Sequence, residues 1–338
     1  MTPTNGQQTI ATSFTVGTMT RAEMDTAVEW AAKEGWNPGL CDAEAFYNTD
    51  PQGFFTARSE SGEPLGFISA VKYPGEAGGG KKHSAGFGFI GFFIVRPDLR
   101  GGRIGIELGR AALSYLAGCH IGVDGVLDKV RNYEAFGFRY AYRNYRYRGV
   151  KPARTAVAPD MMPIAELPLP KLAAYDHKCF PAQRHNFLKL WTKNASASGF
   201  ACYRKGSMEK AGSSDTPQGR ADRYRAVPGA VYGYGVIRQC RKGYKVGPLF
   251  ADSAEIAEDI LLALLSTVPE GSEFLLDVPE RNNLALALAR KYGMTEVFGT
   301  ARMYMAQPSG QQADTRYDVW EPELPMHRIF GVTSFELG

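Results

Sequence analysis

Cysteine is scarce in this chain. Five occur in 338 residues (Cys41, Cys119, Cys179, Cys202 and Cys240), far apart and with no CxxC pair, which excludes a disulfide-rich secreted scaffold and a four-cysteine zinc site. The five histidines show neither HxxxH nor HExxH spacing, so no metal centre is expected. No apolar run approaches the roughly 20 residues that a membrane-spanning helix needs. Met1 to Thr12 has no basic start and no apolar stretch, so no secretory signal is expected and the reading is cytoplasmic. Charge of one sign is not in large excess: 39 Lys and Arg against 35 Asp and Glu leave +4, which suits an anionic small ligand and does not demand nucleic acid. Two catalytic signatures are also missing, the GxxxxGK[ST] phosphate loop and the GxSxG nucleophile elbow.

What is present is an average globular composition, 44% hydrophobic and 22% charged, long enough for about two domains. Prolines 152, 159, 163, 168 and 170 crowd one stretch, which predicts domains at 1–150 and 165–338 with a linker over 151–164. Residues 205–222, nearly devoid of apolar side chains, are expected as a mobile loop. In the first half the spacing predicts helices over 21–33, 43–48, 104–116 and 129–136. Strands are expected at 54–59, 65–71, 87–95, 122–127 and 139–148, with a glycine turn at 78–80. The second half repeats the later part of this order, with strands at 231–239, 274–278 and 301–306 and helices at 252–268 and 283–292. Gly137-Phe138 has its counterpart in Gly293-Met294, one domain length away.

The sharpest local signal is the run from Ile94 and Val95 through Arg96-Pro97-Asp98-Leu99 to Arg100-Gly101-Gly102-Arg103-Ile104-Gly105. A strand apolar on both faces enters a Gly/Arg loop and then a helix start. Such a start offers unpaired N–H groups and the positive end of a dipole, and glycine lets a phosphate approach the backbone. A literal GxGxxG at Gly86, Gly88 and Gly91 lies inside a strand pattern, whereas the dinucleotide fingerprint follows a strand and opens a helix.

With these residues the chain resembles the GNAT superfamily of N-acetyltransferases, whose acetyl-CoA motif is V-x-P-x-x-[RQ]-G-x-G-x-[GA]. Val95, Pro97, Arg100, Gly101, Ile104 and Gly105 match it, and Arg103 stands where the family has glycine. Tyr133 followed by Gly137-Phe138 matches a second family element, with Val126 in place of the family's asparagine and Asn132 close by. The resemblance implies an α+β fold of tandem GNAT-like domains, each a mixed, mostly antiparallel sheet flanked by helices. It implies direct acetyl transfer from acetyl-CoA to an amine, with Ile94 and Val95 at the thioester, Arg100 to Gly105 and Asn132 on the cofactor, and Tyr133 as general acid. Strand 87–95 lacks the glutamate that many relatives carry, so Asp124 is the expected base. The second half, with 245–252 in place of the phosphate loop and Ala289 in place of tyrosine, is expected to be a degenerate, non-catalytic GNAT-like domain.

The acceptor, a small-molecule amine or a peptide, is expected near Trp36, Asn37 and Asp42, where an indole and a carboxylate suit a cationic amine. The alternating Arg/Tyr run 139–148 has the composition of a single-stranded nucleic-acid surface, but its period of two is that of a final sheet strand with solvated arginines. Nucleic acid and membrane are therefore not expected as partners, while a homodimer is allowed for. The rival to an enzyme is a non-catalytic CoA sensor or partner-binding protein.

Overall fold

A computed structural model describes residues 13–75, 86–153, 157–203, 229–305 and 320–338. The glycine turn at 78–80, the loop 205–222 and residues 1–12 lie outside the described residues. The first half runs β1 (Phe14–Thr18), α1 (Arg21–Lys33), α2 (Asp42–Thr49), β2 (Phe54–Ser59), β3 (Pro64–Tyr73), β4 (Phe87–Val95), α3 (Arg103–Tyr115), β5 (His120–Val126), α4 (Val130–Ala135) and β6 (Phe138–Val150). The second runs β7 (Met161–Pro163), α5 (Leu169–Asp176), α6 (His185–Trp191), β8 (Ala197–Tyr203), β9 (Val231–Gln239), β10 (Tyr244–Ala251), α7 (Ala254–Ser266), β11 (Glu273–Pro279), α8 (Asn283–Lys291) and β12 (Thr295–Met305). A short strand, β13 (Ile329–Gly331), follows. Before β13 the two halves have the same order of elements.

Local chemistry sets several of these boundaries. A capping box opens α1, with the Glu23 N–H donating to Thr20 Oγ1 at 3.2 Å and the Thr20 N–H donating to the Glu23 carboxylate at 2.7 Å. Ser253 caps α7 and Asn282 caps α8 in the same sense. Gly137 and Gly293 end α4 and α8 in left-handed backbone, φ 97° and 61°, which explains their matched positions.

Among the described residues, all the strands join one 13-stranded sheet in the order β1-β2-β3-β4-β5-β12-β6-β11-β10-β9-β8-β7, with β13 added on β10. The order is palindromic: each half contributes its first five strands to one wing, and the final strands cross over. Strand β12 lies beside β5, Arg302 opposite Asp124, and β6 lies beside β11, Arg146 opposite Asp277. The halves therefore share their central strands. The expected linker ends in structure, since Met161–Pro163 pairs with Phe200–Cys202. Residues 245–252, read as a replaced loop, belong to β10 up to Ala251, the counterpart of β4. The Arg/Tyr run is a strand, as expected, with Arg143 and Arg148 exposed, but β6 sits between β12 and β11 and Arg146 is buried there.

The sheet separates two kinds of core. On one face α1, α2, α5 and α6 share a single apolar core that includes Phe46, Phe92, Leu188, Trp191, Phe335 and Leu337. On the other, α3 packs Ile104, Leu108 and Ala112 over Ile68, Ile90 and Val123, while α7 and α8 cover Ile237, Val246 and Leu276 separately. Each such buried Leu or Ile stabilises the fold by about 1.5–3 kcal/mol.

Candidate active site

The two central parallel strands of the first half part company midway. Strand β4 pairs with β5 from Phe87 opposite His120 to Ile90 opposite Val123, then continues alone on that side to Val95. A bulge at Phe92, φ 45°, makes the change: Gly91 still faces Ser69 on β3 and Ile94 faces Phe67, so three steps on β4 match two on β3. The Arg96 N–H donates to Leu65 O at 3.0 Å. By the alternation of a strand, the Val95 N–H and C=O then point into the gap, and those of Ile94 toward β3. Ile94 itself is buried in the shared core.

The gap leads to the Gly/Arg loop. Arg100 braces it, donating from Nε to Val95 O at 2.9 Å and pairing with Glu34. Gly101 has φ 82°, and a Cβ there would have no atom within 4 Å. Gly102 precedes α3 without a side-chain cap, so the first amides of this helix, including those of Ile104 and Gly105, keep their donors, unlike those of α1, α7 and α8. Gly105 packs against Phe93, Ile104 is buried beneath the helix, and Arg103 is exposed.

Tyr133 closes the other side. Its ring lies on Gly125 of β5, where a Cβ would come 2.6 Å from Cε2, and meets the edge of Phe138. Burial, with Asp128 and Asp124 nearby, pushes its phenol up to about 12, so it stays protonated at neutral pH. Asn132 is exposed on the same short helix.

Asp124 is differently placed. Its side chain is fully buried, and Arg302 binds both oxygens, at 3.0 and 2.7 Å. Asn144 donates to Oδ1 at 2.8 Å and Thr300 approaches it at 3.5 Å. This geometry ties β5 to β12 and β6 and engages both carboxylate oxygens.

The expected acceptor residues also hold the halves together. Asn37 exchanges two 2.9 Å hydrogen bonds with the main chain of Lys242, and the Trp36 carbonyl accepts from Arg146 and Lys245, each at 3.2 Å. Asp42, 1% exposed, takes Arg238 Nε at 2.9 and 3.1 Å and the Gly39 N–H at 2.8 Å. Arg146 and Asp277 form a buried bidentate pair at 2.6 and 2.7 Å. Sequence reading missed Arg146, Arg238, Lys245, Asp277, Arg302 and Glu336 as site neighbours. Of these, Arg146 lay in the Arg/Tyr run and Lys245 at the start of the 245–252 segment, both singled out beforehand for other reasons.

Two cavities flank the centre. One, of about 340 Å³, is lined by Tyr142, Arg281, Tyr304, Glu321, Leu324 and Met326 among others, on the face of the shared core. The second, about 530 Å³, lies between Leu127, Val130, Tyr140, Arg143, Tyr145 and Glu280.

The chain is similar to known proteins. A family model described as "Acetyltransferase (GNAT) family" matches residues 20–138, and one described as "Acetyltransferase (GNAT) domain" matches residues 218–317. Holothin acyltransferase of Pseudoalteromonas sp. (strain SANK 73390) is 26% identical over 310 residues, covering 92% of this chain and 90% of that protein. Among solved structures, a candidate acetyltransferase from Pyrococcus horikoshii superposes with a TM-score of 0.71 at 20% identity over 96% of each chain. A tandem GNAT protein from the clavulanic acid biosynthesis pathway superposes at 0.55 and 13% identity, over 88% of this chain and 100% of that one. At these identities the two structures speak to the fold. No helix among the described residues is long and apolar enough to cross a membrane.

Proposed function

The chain belongs to the GNAT acetyltransferases and is an acyltransferase, and from that premise we propose that it moves an acetyl group from acetyl-CoA directly to the amine of a small-molecule acceptor. The observation that carries this reading is the parting of β4 from β5 beside an uncapped α3. Acetyl-CoA supplies the activated thioester, and the cradle suits it, because no side chain crowds Gly101 and the first amides of α3 are uncapped.

In this mechanism the amides from Arg100 to Gly105 hold the diphosphate, with Arg100 and Arg103 adding charge and Asn132 at the rim. The Val95 main chain, on the open edge of β4, binds the extended arm, and its N–H polarises the carbonyl as charge develops there. Tyr133 gives its proton to the departing sulfur. The first half, 1–150, does this chemistry, and the second half, 165–338, supplies β12 and the wall on the acceptor side. The name of the 26% identical relative makes holothin its acceptor, so holothin is the first amine to test.

Calorimetric titration with acetyl-CoA, followed by thiol release in the presence of holothin, tests the proposal. Binding with turnover supports it. Heat without turnover of any amine favours a CoA sensor, and a flat trace from folded protein removes the cofactor assignment.

A further inference from the structure

An amine that becomes an amide must lose a proton, and the groups placed so far do not receive it. Tyr133 donates, and Asp124 is held by Arg302. One carboxylate is not so engaged. Glu336 is 4% exposed, and its Oε2 has no hydrogen-bond partner. A buried carboxylate oxygen without a donor is costly, which points to a group that supplies the donor in the working complex.

Its place in the fold is specific. The Glu336 main-chain oxygen lies where a Cβ on Gly91 would be, 2.1 Å from that point. Gly91 is the residue of β4 just before the bulge at which the strand leaves β5. The segment bearing Glu336 arrives from the second half: β13 is seated on β10, Thr333 packs its carbonyl on Gly247, and the Leu337 carbonyl accepts from Tyr73 Oη at 3.0 Å. The charges facing Glu336 are Arg146 on β6, Arg238 on β9 and Lys245 on β10. Behind them stand Asp277, Asp42 and Cys240. Arg238 is itself unfilled, with neither Nη partnered although the residue is 1% exposed. Unsatisfied donors and an unsatisfied acceptor thus occupy one buried cluster beside Trp36 and Asp42, the expected acceptor residues.

We infer that Glu336, carried across from the second half, is the proton acceptor for the attacking amine. The inference rests on the acetyl transfer proposed above. The nitrogen lone pair forms the N–C bond as the C–S bond breaks. The amine proton passes to Glu336 Oε2, and the sulfur takes the Tyr133 proton. Both side chains then exchange with solvent, so the balance is amine plus thioester giving amide plus thiol.

The test compares wild type, E336Q and E336D. Each is titrated with acetyl-CoA and assayed for thiol release with holothin and, without acceptor, for hydrolysis, over about pH 5 to 9. The expected result is an acetyl-CoA affinity within about twofold of wild type and an unchanged melting temperature, with a kcat lowered roughly 100-fold in E336Q and partly restored in E336D. A merely structural Glu336 lowers the melting temperature and the acetyl-CoA affinity along with the rate. A wild type less than about threefold faster than E336Q, or an E336Q whose rate falls only together with its melting temperature, overturns the assignment. If E336Q does not fold, an E336D enzyme with wild-type kcat overturns it instead. A flat acetyl-CoA titration in wild type removes the proposed function, whereas binding with equal rates removes Glu336 alone.

Discussion

Gly91→Ala is the most direct probe of how the two halves meet. The added methyl would stand 2.1 Å from Glu336 O, 2.8 Å from its carbonyl carbon and 2.9 Å from its Cα, all main-chain atoms that no rotamer change can move aside. Reaching an ordinary contact of about 3.5 Å requires a relative shift of more than 1 Å between β4 and the segment 332–338. Undocking that segment exposes Phe335 and Leu337, now 9% and 0% exposed, at about 1.5–3 kcal/mol each. Strained packing without undocking costs about 1–3 kcal/mol. The protein takes the cheaper course, so a loss of about 1–3 kcal/mol is expected. With an unfolding entropy near 2.1 cal/mol/K per residue over 338 residues, the melting temperature falls by about 1–4 °C. Thermal unfolding followed by circular dichroism gives the first number, and amide hydrogen exchange by mass spectrometry locates the change, with faster exchange expected in 332–338. Gly101→Ala is the control, since only its backbone angle is strained and no neighbour lies within 4 Å. A Gly91→Ala protein with wild-type melting and unchanged exchange in 332–338 would refute the packing described here.

Tyr133→Phe should lower kcat by about tenfold or more and leave the acetyl-CoA affinity as it is, read by thiol release and calorimetry. Because burial holds the Tyr133 phenol near 12, its deprotonation limb lies above the ordinary tyrosine range, and wild-type rates stay flat through about pH 10 as far as this group is concerned. Changing Gly101 and Gly102 together to Val should weaken acetyl-CoA binding at least about tenfold, by disfavouring φ 82° and filling the phosphate approach. Asp124→Asn leaves the buried Arg302 guanidinium uncompensated and should cost about 3–5 kcal/mol in chemical denaturation. Lost turnover with undiminished stability would instead make Asp124 the base.

The parts of the fold that were legible are those whose environment is local. Strand β4 is apolar on both faces from Phe87 to Val95 and was bounded to the residue, as was β9. Helix α1 has its capping box and its stripe of Met24, Val28 and Ala31, and the Gly/Arg loop announces itself by composition. What was not legible depends on partners far along the chain. Asp124 and Arg302 are 178 residues apart, Arg146 and Asp277 131, and Asp42 and Arg238 196. A charged residue in a strand pattern ordinarily faces water, and the crossing of β6 and β12 brings the first two pairs inside, while Asp42 of α2 meets Arg238 of β9. Asp42 and Asn37 looked like acceptor ligands for the same reason, since nothing near them in sequence names Arg238 or Lys242. Strand β10 was hidden by Gly247-Pro248, which marks its bulge, where a proline is tolerated.

The same bulge shows why one fold, present twice, need not do the same work twice. Strand β10 parts from β11 after Val246 opposite Leu276, as β4 parts from β5 after Ile90 opposite Val123, and a glycine stands next in both, Gly247 and Gly91. In the second half the edge beyond the bulge is taken: Leu249 pairs with Gly331 and Phe250 with Ile329, while the Val332 N–H donates to Asp277 O at 2.9 Å. An extended strand there uses the backbone groups that an extended thioester arm would need. The helix that follows is closed to an anion as well, since Ser253 Oγ accepts the Ile256 N–H and the Asp252 carboxylate stands at its start, where α3 has Gly102 and two arginines. Filling the second gap with β13 is also what aims residues 332–338 across both glycines, with the Thr333 carbonyl on Gly247 and that of Glu336 on Gly91. A second half that held acetyl-CoA in its own gap could not place this segment. In the proposed reaction, the gap it gives up is the anchor that delivers Glu336 to the other.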